Sequence, residues 1–136
     1  MSEKKPYVKP AIKTRPLHST DLQPGGRFAE RRAHPRYVLI APADAFEPIA
    51  NIRVSGRTAE ISLGGCYVDV EEPMPKGAVI ELSIQRDISE LKTWGRVVYA
   101  HEQVGMGVQF LDTAPDQRAL LHQWIQELSA SEWTTL

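Results

Sequence analysis

From residue 37 onward, apolar and polar positions alternate in short bursts. Tyr37-Val38-Leu39-Ile40 is a β-rich run, and Ile49–Val54 sets Ile49, Ile52 and Val54 among smaller or polar residues. Thr58–Ile61 leads into Ser62-Leu63-Gly64-Gly65, a turn signal, and then into Cys66-Tyr67-Val68-Asp69-Val70. Pro73, Pro75 and Gly77 mark another loop. Val79-Ile80-Glu81-Leu82-Ser83-Ile84 follows, with the clean alternation of a half-buried strand. Trp94–Tyr99 and Gly107–Phe110 supply two further strands, for a predicted total of about six. Short strands at close spacing, separated by Gly and Pro, predict a mainly β domain built as a sandwich or barrel. A small antiparallel β-barrel has the advantage of leaving no exposed edge strand.

The period changes near the C-terminus. Thr113 as N-cap, Pro115 in the first turn and Asp116 as an acidic variant of the capping box predict a helix over 113–129. Leu120, Leu121, Trp124, Ile125 and Leu128 fall on one face of it, expected to cover an open end of the barrel. Trp133 lies past that predicted end. At the other terminus, residues 1–29 contain Pro6, Pro10, Pro16, Pro24, Gly25 and Gly26, few large apolar side chains and no sustained period. They are expected to form a flexible, extended arm ahead of a single domain at 30–136.

Charge sharpens that division. Residues 1–36 carry nine Lys or Arg against three acids, whereas residues 37–136 carry seven against fourteen, for a net charge of −1. A basic arm thus precedes an acidic body, and the acidic body argues against a dedicated nucleic-acid binder. No apolar run approaches the roughly 20 residues that span a bilayer, and the N-terminus lacks a signal-peptide core. One cysteine, Cys66, excludes an internal disulfide framework. These features predict a cytoplasmic protein without membrane insertion. Cys66 lies in an apolar strand and is expected to be a buried, structural thiol. Trp94 is expected to pack in the core or at the barrel rim. His18, His34, His101 and His122 are scattered without metal-ligand spacing, so no metal site is expected.

Two stretches carry candidate chemistry. Glu30-Arg31-Arg32-Ala33-His34-Pro35-Arg36 packs three guanidinium groups into six residues. Pro35 disfavours helix at His34, so Arg32 and Arg36 are arms of a bent, extended segment, not an i, i+4 pair. Arginine suits phosphate through its planar fork, and it also pairs with the O6 and N7 edge of guanine. By charge alone, the same run also reads as a solvated basic stretch. In the second stretch, Glu60-Ile61-Ser62-Leu63-Gly64-Gly65, glycines after a strand allow positive φ and close backbone approach. Successive N–H groups there can form an anion nest beside the Ser62 hydroxyl, and the Glu60 carboxylate can accept from guanine N1 and N2. Taken alone, this stretch is also an ordinary β-turn.

Together the two stretches resemble a PilZ domain, the bacterial family of cyclic di-GMP receptors. The family's Arg-x-x-x-Arg is matched by Arg32-Ala-His-Pro-Arg36, and its Asp/Asn-x-Ser-x-x-Gly by Glu60-Ile-Ser62-Leu-Gly-Gly65. The likeness continues through Gly105-Met-Gly-Val-Gln-Phe110 and the closing helix, and it covers roughly residues 30–128. It implies a PilZ-like barrel that binds cyclic di-GMP as ligand through Arg31, Arg32, Arg36, Glu60, Ser62, Gly64 and Gly65. It implies no catalytic residues, no metal and no further cofactor. With no output domain on the chain, the implied output is a changed N-terminal loop that a downstream protein recognises, in motility, exopolysaccharide or biofilm control. Glu60 departs from the family's Asp or Asn and moves the acceptor by about 1.5 Å, so weaker binding is expected. The alternative is a PilZ-like adaptor that no longer binds the nucleotide. A general nucleic-acid-binding barrel using the arm is the weakest reading, and no specific nucleic acid is expected.

Overall fold

The computed structural model describes the backbone of residues 34–134 and the side chains of residues 34–131. The expected arm, together with Arg31 and Arg32, lies outside the described residues. Among the described residues, seven strands and one helix follow in order: β1 (Tyr37–Val38), β2 (Pro42–Glu47), β3 (Ile52–Ile61), β4 (Gly65–Asp69), β5 (Val79–Arg86), β6 (Ser89–His101), β7 (Gly105–Leu111) and α1 (Pro115–Thr134). Every strand pairing is antiparallel. The strand order is β1-β3-β2-β5-β6-β7-β4, and β4 pairs back onto β3. Six strands therefore close into a ring, which leaves no free edge among them. Short β1 is the extra strand, laid against the C-terminal end of β3 through Tyr37↔Ile61 and Val38↔Glu60.

The mainly β barrel with a C-terminal helix agrees with the sequence expectation, but one strand is added, the runs Ile49–Val54 and Thr58–Ile61 belong to a single strand β3 with Ile49 in the turn before it, and the helix bounds move. Strand β2 has no counterpart among the predicted strands. Its sequence, Pro-Ala-Asp-Ala-Phe-Glu, is poor in β-branched residues. What holds it is tertiary: Ala43 and Ala45 are buried, opposite Ile84 and Leu82 of β5. Small side chains there leave room for the large ones across the strand. Helix α1 starts at Pro115 and runs to Thr134, past the expected end at 129, because no Gly or Pro interrupts Ser129–Thr134. Thr113 does not cap it. Its hydroxyl lies 2.7 Å from that of Thr93 and donates to the Leu111 carbonyl at 3.2 Å, while the first helical bond runs from Arg118 N–H to the Ala114 carbonyl.

The core is the barrel interior. Ile61, Val68, Ile80, Leu82, Ile84, Leu91, Val97, Met106 and Val108 fill it, and Leu121 and Trp124 of α1 join the same cluster. The helix packs against β6 and β1. Arg86 at the end of β5 fastens it by donating to Glu127 at 2.5 Å, with its guanidinium 5.7 Å from the Trp124 ring. Gln117 accepts the Lys92 N–H at 2.7 Å. Trp94, expected in the core or at the rim, instead lies on the outer face of β6 and is part-exposed.

Two β-bulges set which side chains face out. On β3, the pairing with β4 shifts between Thr58↔Val68 and Glu60↔Tyr67, so Ala59 is an extra residue. Simple alternation from buried Thr58 would turn Glu60 inward; with the bulge, Ile61 takes the core position and Glu60 faces out. On β6, the pairing with β7 shifts between Val97↔Val108 and Tyr99↔Gly107, with Val98 extra. Buried Val97 is therefore followed by an outward Tyr99.

Candidate functional site

The site assembles where β1 meets β3. Arg36 immediately precedes β1, and the pair Tyr37↔Ile61 sets it against the end of β3, where the Ser62 turn begins. Its Nη1 donates to Glu60 Oε1 at 3.2 Å. The two side chains are each 38% exposed, so the pair is a solvated contact and not a buried one. Positions from the two sequence motifs, 24 residues apart, thus touch.

The path that delivers Arg36 depends on a buried hydroxyl. Between β1 and β2 the chain carries one more residue than the facing stretch of β3, since Val38 pairs with Glu60 and Pro42 with Arg57. Thr58, fully buried, bridges this irregularity: its hydroxyl accepts from Ala41 N–H at 3.1 Å and donates to the Leu39 carbonyl. The backbone bonds Leu39 N to Ala59 O, at 3.1 Å, and Thr58 N to Ala41 O, at 2.8 Å, complete the join. Without Thr58, a buried N–H and a buried carbonyl lose their partner.

The Ser62–Gly65 turn is closed on itself. Ser62 Oγ accepts from Gly64 N–H at 3.1 Å and from Gly65 N–H at 3.2 Å, and Ser62 N–H donates to Gly65 O at 2.8 Å. The two N–H groups expected to form an anion nest are therefore engaged by the serine hydroxyl. Gly65 does not use positive φ. A Cβ there would stand 2.1 Å from the Val108 carbonyl oxygen, so glycine is required by the close approach of β4 to β7. Phe110 N–H donates to Gly64 O at 2.9 Å and anchors the turn to β7.

Of the seven residues expected at the site, Arg36, Glu60, Ser62, Gly64 and Gly65 gather at this end of the barrel; Arg31 and Arg32 lie outside the described residues. Cys66, next in the chain, is buried, and burial pushes its thiol up to about 12. No group of three His, Cys, Asp or Glu able to hold a metal ion occurs among the described residues. Nor is any described helix long and apolar enough to cross a membrane.

One feature of this face lies outside the residues expected at the site. Tyr67, Tyr99 and His101 come from β4 and β6 and cluster on the outer surface, with ring centroids 5.4–6.1 Å apart. Tyr67 Oη lies 3.0 Å from His101 Nδ1. The Tyr67 hydroxyl is held above its usual pKa by desolvation first, then by Tyr99 and by the negative charge of Asp69. The only hint in the chain is the alternation Gly105-x-Gly107, which strips side chains from β7 between the two aromatic strands.

Comparison with known families matches residues 30–127 to the PilZ domain. The chain belongs to the PilZ domain family. Among solved structures it resembles YcgR of Escherichia coli in complex with c-di-GMP, with a TM-score of 0.64 and 16% identity over 77% of this chain and 49% of that one. It also resembles the PilZ domain of CeSA from a cellulose-synthesizing bacterium, with a TM-score of 0.55 and 20% identity over 72% and 98%. A third likeness is to the inhibitor of motility (MotI/DgrA) of Bacillus subtilis, with a TM-score of 0.59 and 20% identity over 71% and 51%. The chain thus spans about half the length of the YcgR and motility-inhibitor chains. A search of curated proteins finds no match.

Proposed function

We propose that this protein is a cyclic di-GMP receptor whose output is a protein partner. The observation that carries the reading is the meeting of Arg36 and Glu60 beside the Ser62–Gly65 turn, on the barrel of a PilZ-family chain. Arg36 offers a forked cation for phosphate or for the O6 and N7 edge of guanine, and Glu60 an acceptor for guanine N1 and N2. Arg31 and Arg32 extend the positive charge on the segment that precedes β1. Gly64 and Gly65 supply N–H donors that can turn from Ser62 Oγ to a phosphate oxygen. In this reading the segment carrying the three arginines closes over the ligand, because phosphate neutralises charges that otherwise repel. A partner then recognises the closed form. Its setting is cytoplasmic, in motility, exopolysaccharide or biofilm control, in keeping with fold relatives that include a c-di-GMP complex, a motility inhibitor and a domain from a cellulose-synthesizing bacterium.

The test is calorimetric titration of cyclic di-GMP into the wild type, Arg32→Ala and Arg36→Ala, with GTP as competitor. Saturable binding at micromolar concentration or tighter, lost in both variants, supports the receptor. A second reading is an adaptor that works by protein contacts alone. It is favoured by the ion pair between Arg36 and Glu60 and by the engagement of both turn N–H groups with Ser62. Absence of heat together with unchanged NMR spectra at high ligand concentration selects it.

A further inference from the structure

The side of the barrel that points away from the candidate site carries exposed apolar and charged side chains. In the six-strand ring, β5 stands three strands from β4 in either direction, so its outer surface lies opposite that of β4. Strand pairing sets one row across this face. Arg53 on β3 pairs with Phe46 on β2, Phe46 with Glu81 on β5, and Glu81 with Trp94 on β6. With strands about 4.8 Å apart, the row is about 14 Å long. Ser55, Asp44, Ser83 and Lys92 form the row on one side of it, and Val79 and Arg96 lie on the other.

These groups are not satisfied within one copy. Val79 is 38% exposed and Trp94 37%, and Arg53, Glu81 and Arg96 are exposed. None of Arg53, Glu81 and Arg96 forms an ion pair among the described residues. The Arg53 guanidinium instead lies over the Phe46 ring, 4.4 Å from its centroid. Asp44 accepts from Ser55 Oγ at 2.5 Å through Oδ1, which leaves Oδ2 for a cation.

The row is complementary to itself. A two-fold axis normal to the sheet, passing between Phe46 and Glu81, lays the row over its own reverse. Phe46, with the Arg53 guanidinium on its ring, then faces Glu81 of the second copy, and Trp94 of that copy faces the stem of Arg53. The guanidinium is thus held between an aromatic ring and a carboxylate, beside an indole. The same rotation exchanges the flanking rows and brings Arg96 to Ser55 and Asp44 of the other copy. No like charges stand opposite each other in these rows. Every contact occurs twice, as an isologous interface requires. Closure of the ring leaves its six strands no free edge, so copies meet face to face and not by strand addition.

We propose that the outer face of β2, β5 and β6 is the interface of a two-fold symmetric homodimer, held by reciprocal contacts of Arg53 with Glu81 and Trp94. A barrel is convex, so the contact is small and the dimer is weak and concentration-dependent. The Arg36–Glu60 site lies away from the axis in each copy and stays open, which makes this inference independent of the receptor reading.

The experiment is sedimentation equilibrium of the full chain without nucleotide, at concentrations up to about 1 mM. The wild type is expected to show a monomer–dimer equilibrium. Arg53→Glu and Glu81→Arg should each weaken association about tenfold or more, because each sets like charges face to face. The double variant reverses the pair and should recover most of the wild-type association. Circular dichroism verifies that every variant is folded. A monomer at every concentration overturns the proposal. So does a dimer that both single variants leave unchanged, since its interface lies elsewhere, and so does a double variant that stays as weak as the single ones.

Discussion

Arg36 and Glu60 form a single-contact ion pair, Nη1 to Oε1 at 3.2 Å, that links the segment ahead of β1 to the outer face of β3. The acid that departs from the family pattern is thus the one holding the arginine that the ligand is proposed to use. Aspartate at this position would withdraw the carboxylate by about 1.5 Å and loosen the pair. Glu60→Asp is accordingly expected to tighten cyclic di-GMP binding three- to tenfold, about 1 kcal/mol. Calorimetric affinity equal to or weaker than that of the wild type would reject this competition. With both partners part-exposed, Glu60→Ala should move the urea-unfolding free energy by less than about 1 kcal/mol.

Thr58 fastens the chain that carries Arg36. Replacing it with Val keeps its shape but leaves Ala41 N–H and the Leu39 carbonyl without their hydroxyl. Urea denaturation of Thr58→Val should show a loss of about 1–3 kcal/mol. An unchanged midpoint would mean that the join between β1 and β2 holds without the bridge.

Gly65 matches the motif glycine, and the structure gives it a packing reason. In Gly65→Ala the new Cβ meets the Val108 carbonyl oxygen, a backbone atom that can yield only if β4 and β7 separate. The expected cost is about 3 kcal/mol in thermal or urea unfolding. Full stability combined with lost nucleotide binding would instead assign Gly65 to the ligand alone.

Cys66 connects stability to alkaline pH. Folding raises its pKa from 9.0 to about 12, so the folded state favours the neutral thiol. Its contribution is complete below pH 9 and is lost as pH rises from there toward about 12. The stability difference between the wild type and Cys66→Ala should therefore shrink over that range, read from urea midpoints at successive pH values. A difference independent of pH would contradict the burial. At pH 8 the thiol should react with a maleimide only after denaturant is added.

Much of this protein is legible in its chain. Alternation along Val79–Ile84 locates β5, the run of Leu120, Leu121, Trp124 and Ile125 marks the buried face of α1, and Ser62-Leu63-Gly64-Gly65 marks a turn. These are local signals, because side-chain direction within one strand or helix follows its own period. Strand β2 is not legible, since its buried alanines are chosen by the bulk of Ile84 and Leu82 on another strand. The start of α1 misleads for a similar reason: Thr113 finds Thr93 on β6, a partner 20 residues away.

The sequence by itself determined the fold class, the family motifs and the identity of the charged and hydroxyl groups that could meet a nucleotide. Tertiary structure alone decided that Glu60 faces outward to Arg36, that Ser62 closes its own turn, and that Tyr99 lies over Gly107. The physical reason is register. Pairing between distant strands, with one extra residue at Ala59 and another at Val98, chooses the face that each side chain occupies. A single-residue shift reverses that choice.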